Sequence, residues 1–133
     1  MDIPKIVKDV PPNYGAIKVR FELGGREMVF TYGDTLYIPT GFIPSPDLLT
    51  HEMVHIQQQG NDPAGWWERY LKDDDFRTSQ ETEAYKEQYK YFCKKVTNRD
   101  ERAKLLMVLA QDFSSSVYGK IVSYPQALAL IRD

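Results

Sequence analysis

The residues His51-Glu52-Met53-Val54-His55 form the pattern H-E-x-x-H. On a helix, positions i and i+4 lie one turn apart, so His51 and His55 project from one face and can share a metal ion. Glu52 is displaced around the helix from His51. It can reach a water at the metal rather than the metal itself. A metal in this setting acts as a Lewis acid and lowers the pKa of its water, and the adjacent carboxylate serves as general base. The chain has 133 residues and only these two histidines. With two histidines and eight glutamates placed at random, the pattern arises in about one chain in a thousand.

A catalytic zinc site takes three protein ligands and keeps an open position for water. The third ligand cannot be a histidine, and the position six residues beyond His55 is Asn61. Cys93 or a carboxylate remains. The segment Gln80-Glu81-Thr82-Glu83-Ala84-Tyr85 offers two glutamates, which sit two residues apart and so face different ways on a helix. At 3.6 residues per turn, Glu81 shares a stripe with Tyr85, Tyr89, Phe92 and Val96. Glu83 shares one with Glu87, Lys90 and Lys94. The first stripe is apolar apart from Glu81 and should face the interior; the second should be solvated. A buried carboxylate needs a partner, and a cation is a good one. The expected metal ligands are therefore His51, His55 and Glu81, with Glu52 as the catalytic base.

The elements that position these residues read as strands first and helices afterwards, an α+β arrangement in a single domain over 1–133. Residues 1–16, with Pro4, Pro11 and Pro12, suggest an extended surface arm. Ile17, Val19, Phe21 and Leu23 alternate with polar residues, and Gly24-Gly25 separates them from residues 26–32. This predicts an antiparallel β-hairpin. Gly33-Asp34 is a second turn signal, and Thr35 to Ile38 a third strand stopped by Pro39. Helices follow. One starts near Ser45 or Asp47, with Pro46 in its first turn, and ends at Gly60. A short one starts at Asp62-Pro63 and carries Trp66 and Trp67. A long one runs from Thr78 or Ser79 to about Val96. Another is capped by Asn98 or Asp100, and a final short one opens at Pro125. Asp73-Asp74-Asp75 lacks the ligand spacing of a calcium loop and reads as a solvated turn.

H-E-x-x-H followed some 25 residues later by a helix with E-x-E-A resembles the gluzincin class of zinc metallopeptidases. Residues 45–90, and in particular His51 to Gln58 with Glu81 to Tyr85, are similar to small bacterial and phage-encoded peptidases of that class. In related members the pattern is E-x-x-A-D, and its first Glu binds zinc. That maps onto Glu81, Ala84 and Tyr85, with Tyr85 standing where an Asp often orients a ligand histidine. The resemblance implies a zincin-like core, a Zn2+ cofactor and a peptide or protein substrate. Family members bind an extended substrate along an edge strand above the motif helix, for which Thr35 to Ile38 is the candidate. Relatives stabilise the oxyanion with a histidine and a tyrosine. No histidine is left here, so Tyr118 and Tyr124 are the candidates, though packing is the commoner role for such half-buried tyrosines. Gln58, on the side of His51, reads as a group behind the metal or facing substrate, and Gln57 as outward. Trp66 and Trp67 read as packing residues or an apolar subsite, and Cys93 as a small packing residue.

Composition bounds the alternatives. Lys plus Arg is 17 and Asp plus Glu is 19, a net charge of -2. No basic excess exists for binding phosphates, which argues against a nucleic-acid partner. One cysteine excludes an intramolecular disulfide. No apolar leader follows Met1, and the longest apolar run, Leu105 to Ala110, is too short to span a bilayer. The expectation is a cytoplasmic protein with no membrane partner. Two function classes follow. One is a zinc-dependent peptidase or amide hydrolase. The other is a non-catalytic, zinc-stabilised interaction module, such as a phage structural or host-takeover component retaining the fold. Glu52→Gln separates them, since an enzyme should keep zinc and lose hydrolysis.

Overall fold

The structure, a computed structural model, describes residues 3–133. Its elements run β1 (Lys5–Val7), α1 (Tyr14–Arg20), β2 (Phe30–Tyr32), β3 (Thr35–Tyr37), α2 (Pro46–Gln59), α3 (Pro63–Lys72), α4 (Asp74–Lys95), α5 (Arg99–Phe113), a 3-10 turn over Ser116–Tyr118, and α6 (Tyr124–Arg132). The α+β arrangement expected from the sequence is present. None of these helices is long and apolar enough to cross a membrane.

The helix ends follow local chemistry. Ser45 is the extended residue before α2, Pro46 and Asp47 lie in the first turn, and Gly60 ends the helix with φ 55°, where a side chain would be strained. Asp62 accepts a hydrogen bond from the Gly65 N–H at the start of α3, and Asn98 accepts one from the Glu101 N–H at the start of α5. Ser123 and Gln126 form a reciprocal capping box at α6. The long helix starts earlier than predicted. Asp73 accepts from the Phe76 N–H, and Asp74 and Asp75 occupy the first turn. The three aspartates are thus a cap and a helix start rather than a free turn, with negative charge at the positive end of the helix dipole.

The strands depart further from expectation. Residues 17–23 do not form a hairpin around Gly24-Gly25. Ile17 and Phe21 are four apart, a spacing common to strand and helix patterns. With Tyr14 they instead make one face of α1 and its C-terminal cap. Ile17 and Phe21 are buried, while Val19, the residue that completed the alternation, is 90% exposed. The hairpin that does form is β2–β3, turned at Gly33-Asp34, where Gly33 has φ +64°. The predicted surface arm contributes β1, which pairs parallel to β3 with Ile6 opposite Leu36. The sheet order is β1-β3-β2. Thr35 to Ile38 therefore belongs to the central strand, and both of its edges are paired. It cannot take an extended substrate, and the edges of the sheet are β1 and β2.

Two apolar clusters hold these elements around α4. Tyr85 from α4 packs with Leu109, Ala110 and Phe113 of α5, with Val122, and with Ala127 and Ile131 of α6. Ile17, Phe21, Phe30, Trp66, Trp67 and Tyr70 form the other cluster, joining α1, β2 and α3. Between the two, α2 lies along α4. Gln59 at the end of α2 fastens the sheet to it: its Oε1 accepts from the Gly33 N–H at 2.7 Å and its Nε2 donates to the Thr31 carbonyl at 2.7 Å. That pair of bonds sets β2 beside the face of α2 that carries the histidines.

Candidate metal centre

His51 and His55 lie one turn apart on α2, and Glu81 lies on the facing side of α4. Among the described residues, these three form a buried group with one potential ligand atom each, all within 4.8 Å of one another. His51 Nε2 is 3.1 Å from Glu81 Oε1, and His55 Nε2 is 3.2 Å from the same oxygen. Of the two glutamates on α4, Glu81 is buried and Glu83 exposed, as the helical stripes predict. The buried face of α4 runs Arg77, Glu81, Ala84, Tyr85 and Gln88, so it turns away from Tyr89 and Phe92, which are half-buried. Cys93 lies further along α4, outside the group.

The hydrogen bonds behind the histidines decide what the group requires. Gln88 Nε2 donates to Asp47 Oδ2 at 2.9 Å, and Gln58 Nε2 donates to the Gln80 carbonyl at 3.0 Å. Both partners only accept, which fixes each amide so that its Oε1 faces an imidazole. His51 Nδ1 therefore donates to Gln88 Oε1 at 3.0 Å, and His55 Nδ1 donates to Gln58 Oε1 at 2.7 Å. In a neutral imidazole whose Nδ1 carries the proton, Nε2 holds a lone pair. Two such lone pairs point at a carboxylate oxygen, which also only accepts. Three converging lone pairs in a buried site need a cation between them, either protons or a metal ion. The separations of 3.1 and 3.2 Å are close to the edge of about 3.3 Å for a tetrahedron with metal bonds of 2.0–2.1 Å. The residues present therefore fit a metal ion. Tyr70 donates its hydroxyl to Glu81 Oε2 at 2.5 Å, which leaves Oε1 as the oxygen turned to the histidines.

Glu52 is buried beside this group but is not part of it. Its Oε2 accepts from Thr31 Oγ1 at 2.7 Å. Burial pushes its carboxyl up from the usual range, against the opposing pull of His51, His55 and Thr31. A carboxyl so raised holds a proton more readily than a solvated one, which suits it to take up and release a proton during a reaction. Glu52 and His51 line two spaces. One is a cleft of about 360 Å³, bordered also by Arg26, Met28, Val29, Phe42, Leu48, Asp112 and Tyr118. The other is a cavity of about 50 Å³ walled by Ile17, Phe21, Trp66, Trp67, Tyr70 and Val117.

The remaining predicted residues separate cleanly. Tyr118 lines the cleft and its hydroxyl lies 2.7 Å from that of Tyr85; burial and the Glu81 charge keep it protonated well above the ordinary tyrosine range. Tyr124 opens α6 and packs against the α5–α6 cluster, away from the cleft. Tyr85 sets its ring edge-on to His51 at 4.5 Å between centroids, and Gln88, almost one turn on, makes the orienting hydrogen bond. Trp66 and Trp67 are buried beneath the site, donating to Gln80 Oε1 and to the Thr31 carbonyl. Gln57 is exposed.

Thr31, Tyr70, Gln88 and Asp47 were not singled out by their local sequence. Gln88 alone carried a readable signal, being seven residues, close to two turns, after Glu81 on one helix face. Arg77 was also missed. It is fully buried, and its guanidinium donates to the carbonyls of Tyr70 and Tyr118 and pairs with Asp74. It thereby ties the backbone of two tyrosines near the site to α4.

No family model, curated protein or solved structure matches the chain.

Without a metal, the group is expected to show in the pH dependence of stability. Burial alone would lower His55, but the Glu81 carboxylate against it raises it from 6.5 to about 9. Burial alone would raise Glu81 from 4.5, but His55 and His51 hold it well below the usual carboxylate range. A raised imidazole contributes stability that is complete below its unfolded pKa and lost as pH rises through the folded one. A lowered carboxylate contributes stability present above its unfolded pKa and lost as pH falls. In chelator, the contribution of this group should peak between pH 4.5 and 6.5. It should fall by on the order of 3 kcal/mol toward pH 10. Thermal midpoints of the wild type and Glu81→Gln across pH 4–10 check this. An equally steep alkaline loss in Glu81→Gln would count against it.

Proposed function

We propose that this chain is a zinc-dependent metallopeptidase of the gluzincin type, hydrolysing a peptide bond with Glu52 as general base. One observation carries the reading: the lone pairs of His51, His55 and Glu81 converge on a position that could hold a cation, and the Glu52 carboxyl on the same helix as the histidines lines an adjacent cleft. Two imidazoles and one carboxylate oxygen suit zinc better than magnesium or calcium, which take oxygen ligands in larger number. His51 Nε2, His55 Nε2 and Glu81 Oε1 would hold the ion. When bound, it would supply Lewis acidity to the scissile carbonyl and acidify a water beside it.

The chain's own groups carry the proton transfers. Glu52 accepts a proton from the attacking water, while the water oxygen bonds to the carbonyl carbon. Glu52 then delivers that proton to the amine as the C–N bond breaks. Thr31 Oγ1 holds Glu52 Oε2 during this exchange and keeps the carboxylate oriented. Tyr118, which borders the cleft with a protonated hydroxyl, is the group assigned to the developing oxyanion. The substrate backbone is assigned to the segment that leads into β2, because Met28 and Val29 line the cleft and β3 is paired on both edges.

The test is hydrolysis of a mixed peptide library by the zinc-loaded protein. Cleavage should stop in chelator and return when zinc is restored. A loaded protein that cleaves no member, or cleavage indifferent to chelator, overturns the reading; the first result favours the non-catalytic zinc-stabilised module.

A further inference from the structure

Both histidines are backed by neutral amides, and in each case a carboxylate stands one hydrogen bond further out. His51 Nδ1 donates to Gln88 Oε1 at 3.0 Å, and Gln88 Nε2 donates to Asp47 Oδ2 at 2.9 Å. His55 Nδ1 donates to Gln58 Oε1 at 2.7 Å, and Gln58 Nε2 lies 3.4 Å from Glu83 Oε1 as well as 3.0 Å from the Gln80 carbonyl. The partner of the Nδ1 proton tunes a metal-bound imidazole. A carboxylate there makes the imidazole a stronger donor and a neutral carbonyl a weaker one. The amide cannot reverse its hydrogen bonds, because Asp47 and the Gln80 carbonyl only accept. The tautomer is therefore locked without placing a negative charge on the ring's back side.

Resting on the metal centre described above, we propose that Gln88 and Gln58 are positioning residues that hold the two ligand imidazoles in the Nδ1-protonated form while limiting their donor strength. Asp47 and Glu83 are held back by one amide. The cation then receives full negative charge from Glu81 alone. The centre binds its metal less tightly than a carboxylate-backed one and leaves it more electron-poor, which favours polarising a carbonyl. Gln88 is the stronger of the two devices, being buried and donating to the charged carboxylate of Asp47 rather than to a backbone carbonyl.

The exchange Asp47→Asn with Gln88→Glu tests this directly. It swaps carboxylate and amide while keeping shape, net charge and the hydrogen-bond chain. Zn2+ affinity, read by competition with a chromophoric chelator, is expected to rise by about tenfold or more. Gln88→Leu, which removes the acceptor at similar size, should weaken it by about 10- to 100-fold. Should the exchange fail to fold, Gln58→Glu at the half-buried position places a carboxylate behind His55 Nδ1 and should likewise tighten binding. A purely structural role predicts no tightening in the exchange variant. Zinc affinity in the folded exchange variant equal to that of the wild type would overturn the proposal. A wild type that binds no zinc would instead overturn the metal centre. Neither measurement depends on hydrolysis, so failure of the peptidase reading leaves a separate signature.

Discussion

Glu52→Gln is expected to retain zinc at wild-type stoichiometry and to lose kcat by about 10²- to 10⁴-fold, with KM little changed. Glu52 is on the motif helix but outside the three-residue group that can hold the ion, so its replacement removes no ligand. Glutamine has the same shape, and its carbonyl oxygen can accept the Thr31 hydroxyl as Glu52 Oε2 does. What it lacks is a carboxylate that can take a proton. The raised carboxyl of Glu52 supplies one, and burial is the main cause of that rise. Zinc content by metal analysis and turnover of a peptide substrate are measured on the same preparation. Equal turnover in the two proteins would remove Glu52 from the chemistry. Loss of zinc in the variant would move it into the metal site.

The second large effect separates two glutamates that are two residues apart. Glu81→Ala should reduce zinc affinity by more than about a hundredfold, exceeding the usual effect of altering a group behind a ligand. Glu83→Ala should leave it within a few-fold, because Glu83 is exposed and its nearest contact to the centre is the 3.4 Å approach to Gln58. Removing Glu81 also strips the Tyr70 hydroxyl of its acceptor, at a cost of about 1–3 kcal/mol to the fold. Glu81→Gln keeps an acceptor for Tyr70 and removes only the charge. It should still bind zinc poorly, which keeps the ligand assignment testable if the alanine variant unfolds. Unchanged affinity in a folded Glu81→Ala protein would overturn the assignment.

Much of the centre was legible because helices write their geometry into neighbouring residues. Pro46, Gly60 and the i, i+4 spacing of the histidines were sufficient to set α2 and the face that carries them. A 3.6-residue period was enough to prefer Glu81 over Glu83. Periodicity failed where one spacing served two patterns. Ile17 and Phe21 suit a strand or a helix, and the exposure of Val19 is what separates the two.

What the one-dimensional pattern could not carry is the pairing of segments far apart in the chain. Strand β1 joins β3 in parallel across some 30 residues, and that pairing turns Thr35–Tyr37 from an edge into the centre of the sheet. The same holds for the groups around the candidate metal site. Thr31 comes from β2, Asp47 and Gln58 from α2, Tyr70 from α3 and Gln88 from α4. Each is an ordinary residue in its own segment. Their roles exist only because α2 packs on α4 and both are fastened to the sheet, which brings donors and acceptors within bonding distance. The sequence therefore specified a pair of histidines one turn apart, a glutamate beside them and a buried carboxylate on a second helix. Packing supplied the amides that fix the tautomers, and with them the physical reason why His51, His55 and Glu81 could hold a cation.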